Sequence, residues 1–319
     1  MTEMQMGLAG RKIVGASVAI LILAGTGIAS TTSALAVPGG RSVASAASQI
    51  CASAKRPKLA ARISAGIKAA LAGRKHSVVG LKASDPATGL TCWLHENTHF
   101  YSASVIKVTI LSALLLKEHG PSHLTKRQRN LAYLMITQSS NNAATALWQD
   151  VGMTDMQQFL NKAGMRHTVL NEAWGLTDIT ASDELTLLHL LSYPGSVLGK
   201  NSRAYVLRLM AEVIPAERWG VPAGAPSDVT VHVKNGWLPY PGAGDWRINS
   251  IGAFTGKDIN YQIVVLTGPP ASGGQSESYG IQTIQAVAEV INRELAGSPA
   301  ASSGRAALPG PAALAAPGG

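Results

Sequence analysis

The stretch "HENTHFYSASVIK", residues 95–107, contains two short patterns that belong to different chemistries. His95 and His99 have the H-E-x-x-H spacing at which two histidines of one helix bind a zinc ion. Ser104 and Lys107 have the S-x-x-K spacing at which a serine nucleophile meets a lysine that takes up its proton. The two patterns predict different sites, and the rest of the chain discriminates between them.

The zinc pattern requires an α-helix, because only there do residues i and i+4 point to the same side. Residues 90–101, "LTCWLHENTHFY", are instead rich in β-branched and aromatic residues, with Asn-Thr in the middle. This composition favours a strand and a turn, and no third ligand follows at a recognised spacing. We therefore interpret His95 and His99 as hairpin-loop residues.

The serine pattern stands where an apolar helix over residues 105–116 is predicted to begin, so Lys107 follows Ser104 by one turn on the same face. A lysine accepts a serine proton if burial and neighbouring cations lower its pKa. Of the 13 lysines, only Lys107 has a serine three residues earlier. Taken alone, the pattern also fits a capping serine at a buried helix start.

Two further segments favour the nucleophile. Ser139 and Asn141 lie in "MITQSSNNAAT", which we predict to contain a polar break between two helices. Lys234 and Gly236 lie in "VHVKNGW", at the predicted end of a β-branched strand. The S-x-x-K, S-x-N and K-x-G patterns follow one another in the order found in penicillin-recognising serine enzymes.

With these three motifs the chain resembles a class A β-lactamase, over nearly all of residues 50–296 and including "RWGVPAG" (218–224) before the third motif. The resemblance implies that Ser104 attacks a lactam or peptide carbonyl to give an acyl-enzyme, with Lys107 as its proton partner. Ser139 would pass a proton to the leaving nitrogen.

Substrate contacts are implied in the same way. Asn141 would donate to the amide of the acyl side chain, and Lys234 would assist Ser139 electrostatically. The N–H groups of Ser104 and Trp237 would form an oxyanion hole, since Gly236 lets the strand edge approach closely. The resemblance implies no metal and no organic cofactor.

Three positions depart from the family pattern. Ser140 replaces the usual Asp of the second motif, and Asn235 replaces the hydroxyl residue that meets the substrate carboxylate. An Asn235 amide can still donate there, and Arg247 could supply charge. The family's deacylation base lies in an E-x-x-L-N loop, whereas this chain has "LNEAWGLTDIT" (170–180). Glu172, followed by Asp178, is the candidate base, and an exposed loop carboxylate is the equal alternative.

The order of predicted elements is a basic helix, a hairpin, a helical block, three strands and a final helix. It fits an α+β fold of three-layer α/β/α type, in which an antiparallel sheet formed from both chain ends carries an inserted all-helical lobe. The predicted strands are 77–84, 90–96, 228–234, 247–255 and 261–267. The predicted helices after the hairpin are 104–118, 125–137, 141–151, 154–163, 182–192, 202–213 and 277–295.

The chain ends have a different composition. Residues 1–36 have a basic start, an apolar run and an Ala-Leu-Ala site, which predicts a cleaved secretory signal rather than a membrane anchor. Residues 37–49 are small and polar, as in a linker, and the Ala/Pro/Gly-rich residues 297–319 are predicted to be disordered. The domain is therefore 50–296, in a secreted protein without a stable membrane anchor.

The net charge bears on possible partners, and the cysteines bear on the compartment. The chain after residue 36 has 25 basic and 17 acidic residues, a net charge of +8. Its densest basic run, 55–75, has apolar residues at every fourth position and predicts a solvated amphipathic helix, so we expect no nucleic-acid partner. Cys51 and Cys92 are the only cysteines, and in an exported chain they predict a disulfide.

Three functions remain open on the sequence alone. The first is a secreted serine hydrolase that acts on β-lactams. The second is a D-alanyl-D-alanine peptidase or esterase of the cell wall, and the third is a penicillin-binding module without turnover. In each case the partner is a small β-lactam or a peptidoglycan-derived molecule, and we expect a monomer.

Overall fold

The structure is a computed structural model that describes residues 49–240 and 244–296. The predicted signal (1–36), nearly all of the predicted linker (37–49) and the predicted tail (297–319) lie outside the described residues. The two-residue strand β1 begins the described fold at Cys51, and helix α8 ends it at Ala296.

Eight α-helices and eight strands make up the described part of the chain. The helices are α1 (Pro57–Leu71), α2 (Ile106–Lys117), α3 (Lys126–Thr137), α4 (Asn141–Val151), α5 (Met153–Ala163), α6 (Ala181–Ser192), α7 (Lys200–Ala211) and α8 (Glu277–Ala296). The strands are β1 (Cys51–Ala52), β2 (Val78–Asp85), β3 (Leu90–Leu94), β4 (Phe100–Tyr101), β5 (Asp178–Ile179), β6 (Thr230–Pro239), β7 (Trp246–Gly256) and β8 (Ile259–Gly268).

Six of the strands form one antiparallel sheet in the order β1-β3-β2-β8-β7-β6, and β4 pairs with β5 separately. The early strand β2 pairs with the late strand β8, from Val78 opposite Gly268 to Ser84 opposite Gln262. The chain therefore leaves the sheet after β3, builds the helices α2 to α7, and returns at β6. This confirms the predicted α+β fold with a sheet formed from both chain ends.

Both faces of the sheet are covered by helices. Alternate residues of β8 face opposite sides, so Ile263 and Val265 join the core beneath α1 and α8, while Val264 and Leu266 join the core of the helical lobe. Because both faces are buried, the central strands are apolar on both sides. The result is three layers, as predicted.

Helix α2 is the centre of the helical lobe. Ten of its twelve residues, from Ile106 to Leu115, are buried. A helix that is apolar all round is stable only inside a core, so α2 holds Lys107 in a dry environment near the sheet. Burial of this helix thus determines the electrostatics of the lysine that it carries.

The disulfide between Cys51 and Cys92 is present and confirms that prediction. The two cysteines lie directly opposite each other in the β1–β3 pair. The bridge therefore attaches the first described strand to the edge of the sheet. Among the described residues, no helix combines the length and the apolar character that crossing a membrane requires.

Candidate active site

Ser104 lies in a short 3₁₀ turn, Ala103–Val105, that leads directly into α2. The preceding Ala103 has a φ of +47°, a left-handed conformation that costs energy for any residue with a Cβ. Asn249 of β7 fixes the chain just before this turn, since its side-chain amide donates to the carbonyl of Ser102 at 3.2 Å. The surrounding structure thus holds Ser104 in a strained turn at a pocket.

Lys107 is fully buried one turn after Ser104. Its Nζ donates to the Ser139 carbonyl at 2.6 Å, to Ser139 Oγ at 3.3 Å and to Asn141 Oδ1 at 2.8 Å, and it lies 5.0 Å from the centre of the Trp174 ring. Burial, followed by the charge of Lys234, lowers the pKa of Lys107 to about 6. A large part of Lys107 is therefore the neutral amine near pH 7.

Ser139 connects the two lysines. It lies between α3 and α4 with a φ of +54°, and its Oγ is 2.9 Å from Nζ of Lys234 and 3.3 Å from Nζ of Lys107. A hydroxyl oxygen accepts through two lone pairs and donates one proton. Because the protonated Lys234 donates to this oxygen, Ser139 keeps its own proton to donate.

Ser140, which replaces the usual Asp of the motif, has a local role. Its Oγ accepts from the backbone N–H of Ala143 at 3.3 Å and caps the first turn of α4. Serine is among the residues preferred at this position. The cap fixes the start of the helix whose first residue is Asn141.

Lys234 lies in the middle of β6, not at the end of a strand as predicted, because β6 continues to Pro239. Its Nζ donates to Ser139 Oγ and to the Asn235 carbonyl, both at 2.9 Å. Burial lowers the pKa of Lys234 to about 8. At neutral pH this lysine is therefore mostly protonated, unlike Lys107.

Gly236 brings strand β6 against the turn that carries Ser104. A Cβ at position 236 would lie 2.7 Å from the backbone nitrogen of Ser104 and 2.9 Å from that of Val105. These contacts are with main-chain atoms, which cannot move aside cheaply. A residue without Cβ is therefore required here, and the next residue, Trp237, is placed at the same pocket as Ser104.

The pocket has a volume of about 420 Å³ and opens between the helical lobe and the edge of β6. Several predicted site residues meet there, joined by residues that the motifs did not indicate. Its lining is formed by Ala103, Ser104, Ser139, Asn141, Ala173, Trp174, Gly175, Leu176, Glu217, Trp237 and Leu238.

The predicted base, Glu172, does not line this pocket. Its side chain is exposed, and the loop turns its neighbours Ala173 and Trp174 towards the site instead. This placement agrees with the alternative of an exposed loop carboxylate. Asp178, the next candidate, pairs with Tyr101 in the small β4–β5 sheet.

Glu217 is the carboxylate that does line the pocket, and none of the sequence motifs indicated it. It ends a short 3₁₀ turn, Pro215–Glu217, and its carbonyl accepts from Asn235 Nδ2 at 2.8 Å. Burial raises the pKa of Glu217, while the charges of Lys234 and Lys107 partly oppose this shift. The only sequence signal was its position directly before "RWGVPAG".

The chain is similar in sequence to one family of known proteins. The profile of the beta-lactamase enzyme family matches residues 117–295, which is more than half of the chain. The chain belongs to this family. It is thus a β-lactamase-like serine hydrolase. The matched region begins at residue 117, after the segment that carries Ser104 and Lys107. None of the curated proteins matches the chain in sequence.

Solved structures of β-lactamases share the fold. A class A beta-lactamase from Bacteroides cellulosilyticus DSM 14838 superposes with a TM-score of 0.64 at 18% identity, covering 75% of this chain and 98% of that one. A beta-lactamase from Streptosporangium roseum gives 0.61 at 18%, covering 74% and 99%. The structure of PBP-A gives 0.61 at 19%, covering 73% and 96%.

Asn235 does not serve this β-lactamase-like pocket as predicted. Its side chain is fully buried, and its Nδ2 donates to the carbonyls of Glu217 and Trp219, both at 2.8 Å. Both amide protons are therefore used within the protein and are not free to meet a substrate carboxylate. Asn235 instead ties the turn at Glu217 to strand β6.

Arg247 is also placed differently from the expectation. Its guanidinium is nearly buried between two tyrosine rings, 3.5 Å from the centre of Tyr240 and 4.4 Å from that of Tyr101. It does not line the pocket of Ser104. The guanidinium of Arg247, which was expected to meet a substrate carboxylate, instead makes cation–π contacts.

His95 and His99 lie in the non-helical segment between β3 and β4. His95 Nδ1 is 3.2 Å from the carbonyl of Val79, and His99 Nε2 is 2.8 Å from the carbonyl of His167. The two rings thus contact different parts of the backbone. This geometry agrees with their interpretation as loop residues.

Proposed function

We propose that this member of the family hydrolyses β-lactams through an acyl-enzyme on Ser104. The observation that supports this most is the hydrogen-bonded chain from Lys107 through Ser139 to Lys234, which lies beside Ser104 at one pocket. A neutral amine, a hydroxyl and a protonated amine in this order can take up, carry and release a proton.

In the proposed acylation, Ser104 Oγ attacks the lactam carbonyl and its proton passes to the neutral amine of Lys107. The backbone N–H groups of Ser104 and Trp237 are the proposed donors to the oxyanion, because Gly236 brings the two segments together. The carbonyl carbon gains a bond to Ser104, and the former carbonyl oxygen holds the negative charge.

The C–N bond then breaks, and the leaving nitrogen takes the proton that Ser139 directs into the pocket. Lys107 returns a proton to Ser139 and becomes neutral again, while the positive charge of Lys234 stabilises the transfer. The product is an ester on Ser104. The Ser104 proton has moved in effect to the leaving nitrogen, while Lys107 and Ser139 have regained their starting protonation.

Hydrolysis of this ester requires a base for water. Glu172 is exposed and outside the pocket, so we propose that the regenerated Lys107 takes the proton of water and later returns it to Ser104. The same observation on Glu172 favours a second candidate, a penicillin-binding serine enzyme of the cell wall that clears its acyl-enzyme slowly.

We also propose that the protein is exported. The predicted signal supports this, and the disulfide between Cys51 and Cys92 is of the kind that persists in oxidising compartments. The mass of the protein recovered from outside the cytoplasm would show whether residues 1–36 are removed.

Intact-protein mass over time after addition of a penicillin tests the function. We expect an adduct on the parent that forms and then decays, and none on Ser104→Ala with an unchanged circular dichroism spectrum. An adduct that never decays would favour the penicillin-binding enzyme, and an adduct on Ser104→Ala would refute the nucleophile.

Glu172→Gln is the companion variant in that experiment. Because Glu172 does not line the pocket, the decay of the adduct should be unchanged. A large slowing, on the order of the 10²–10⁴-fold that loss of a general base causes, would reinstate Glu172 as the base.

A further inference from the structure

Glu217 is unusual among the residues that line the pocket. In the described part of the chain, it is the only lining residue with a charged side chain. One of its carboxylate oxygens, Oε2, is buried without a hydrogen-bond partner among the described residues. No described residue therefore neutralises Oε2 through a hydrogen bond, and the negative charge of the carboxylate acts on a ligand in the pocket.

The backbone at Glu217 is fixed independently of its side chain. Asn235 holds the carbonyls of Glu217 and Trp219 through one amide group, and Asn235 itself belongs to the strand that carries Lys234 and Gly236. The backbone from which the carboxylate extends is therefore fixed relative to the strand that carries Lys234. Replacing the carboxylate leaves these backbone bonds intact.

No basic side chain of the described residues lines the pocket opposite this carboxylate. Lys107 donates to Ser139 and Asn141, and Lys234 donates to Ser139 and to a backbone carbonyl. Arg247 lies between two tyrosine rings. The pocket thus lacks the cation that a substrate carboxylate would pair with, and Glu217 offsets the charge of Lys234.

We infer that Glu217 determines specificity, by selecting acyl substrates that present an ammonium or a neutral donor beside the leaving group and by disfavouring a carboxylate there. The leaving-group side follows from the proton path, because Asn235 bonds the turn of Glu217 to the strand of Lys234, and Lys234 bonds the Ser139 hydroxyl that serves the leaving atom. The inference rests on the proposed acylation of Ser104.

The aromatic residues of the pocket also favour an ammonium over a carboxylate. The indole rings of Trp174 and Trp237 line it, and an indole face attracts a cation. Trp237 is braced by an edge contact with Trp219, with 5.8 Å between the ring centres. An ammonium held between a carboxylate and an indole would have both electrostatic partners, whereas a carboxylate would have neither.

The test uses three derivatives of one penicillin that differ only beside the lactam nitrogen: the free carboxylate, its methyl ester, and its 2-aminoethyl amide. Second-order rates of Ser104 acylation are measured by intact mass for the parent, Glu217→Gln and Glu217→Lys. Glu212→Gln is the matched control, since Glu212 is an exposed glutamate paired with Arg208 and does not line the pocket.

For the parent we expect the amine to react faster than the ester and the ester faster than the carboxylate. Glu217→Gln should raise the rate of the carboxylate and lower that of the amine, each by about tenfold, with the ester unchanged. Glu217→Lys should invert the order, and Glu212→Gln should match the parent.

Three outcomes would contradict the inference, and they are distinguishable. If Ser104 of the parent is labelled neither by the three derivatives nor by a fluorophosphonate, the proposed acylation is wrong, and the inference that rests on it is wrong as well. If labelling occurs but the three derivatives keep the same relative rates in Glu217→Gln as in the parent, the inference alone is overturned. Equal slowing of adduct decay for all three derivatives would show that Glu217 is a general base instead.

Discussion

The ammonium of Lys234 donates to the hydroxyl oxygen of Ser139 at 2.9 Å, and this bond places a cation where a proton must leave for the substrate. Lys107 contacts the same oxygen from the other side, at 3.3 Å. The two lysines share a partner but have different protonation, since burial lowers their pKa values to about 8 and about 6. This difference gives the site one base and one acid near neutral pH.

The first prediction is a bell-shaped pH dependence of Ser104 acylation. The rate should fall below about pH 6, because Lys107 becomes protonated and cannot accept the Ser104 proton. It should fall again above about pH 8, because Lys234 loses the charge that assists Ser139. Acylation rates across pH 4.5 to 10 measure both limbs.

Lys234→Met tests the assignment of the acidic limb to Lys107 and of the alkaline limb to Lys234. It should remove the alkaline limb and move the acidic limb upwards, because the charge of Lys234 is the second cause of the lowered pKa of Lys107. An acidic limb that stays at about pH 6 in this variant would contradict the coupling between the lysines.

The motif residues could be predicted because each one depends on local structure. Ser104 and Lys107 need only a helix start, and Ser139 and Asn141 need only a polar break before a helix. Such features leave a signal in hydrophobic periodicity and capping residues. The order of helices and strands likewise indicated the sheet that is formed from both chain ends.

Residues whose role depends on tertiary placement could not be predicted in this way. Glu172 lies in the loop where the base was expected, but the sequence does not reveal that its side chain is exposed. Glu217 lines the pocket from a turn that Asn235 bonds to β6, a contact between residues 18 positions apart in the sequence. The two-residue strands β4 and β5 are too short to show any periodicity.

The second prediction concerns Gly236. Gly236→Ala should abolish acylation or reduce it by more than about a hundredfold, because the new Cβ would lie 2.7 Å from the Ser104 nitrogen and displace a proposed oxyanion donor. Gly199→Ala is the control, since a Cβ there meets nothing within 4 Å. Equal acylation rates in Gly236→Ala and the parent would show that the strand edge is not part of the oxyanion hole.

The third prediction concerns the disulfide. Its two cysteines are 41 residues apart, so in the chain-entropy model the bridge stabilises the fold by about 4 kcal/mol. The double variant Cys51→Ala, Cys92→Ala should therefore unfold at a clearly lower urea concentration. The parent under reducing conditions should unfold at the same urea concentration as the double variant. If reductant does not change the urea midpoint of the parent, the disulfide does not stabilise the fold.

The last prediction concerns Glu184, which is fully buried in α6 with neither carboxylate oxygen bonded to any described residue. Burial, followed by the charge of Asp183, raises its pKa from 4.5 to about 8. Between these values the folded protein keeps a proton that the unfolded chain has lost. The stability that this group contributes is therefore complete below about pH 4.5 and declines as pH rises to about 8, by up to about 1.4 kcal/mol per pH unit.

Glu184→Gln cannot ionise and should remove this decline. Urea unfolding of both proteins at several pH values gives the difference in their free energies of unfolding, in which the contributions of Lys107 and Lys234 cancel. We expect Glu184→Gln to become more stable relative to the parent with each step from pH 5 to pH 8, while Glu277→Gln, which removes a partly exposed carboxylate at the start of α8, provides the baseline. A difference that does not change with pH would mean that Glu184 is ionised in the folded protein, and its burial would then require a cation or a water that satisfies both oxygens.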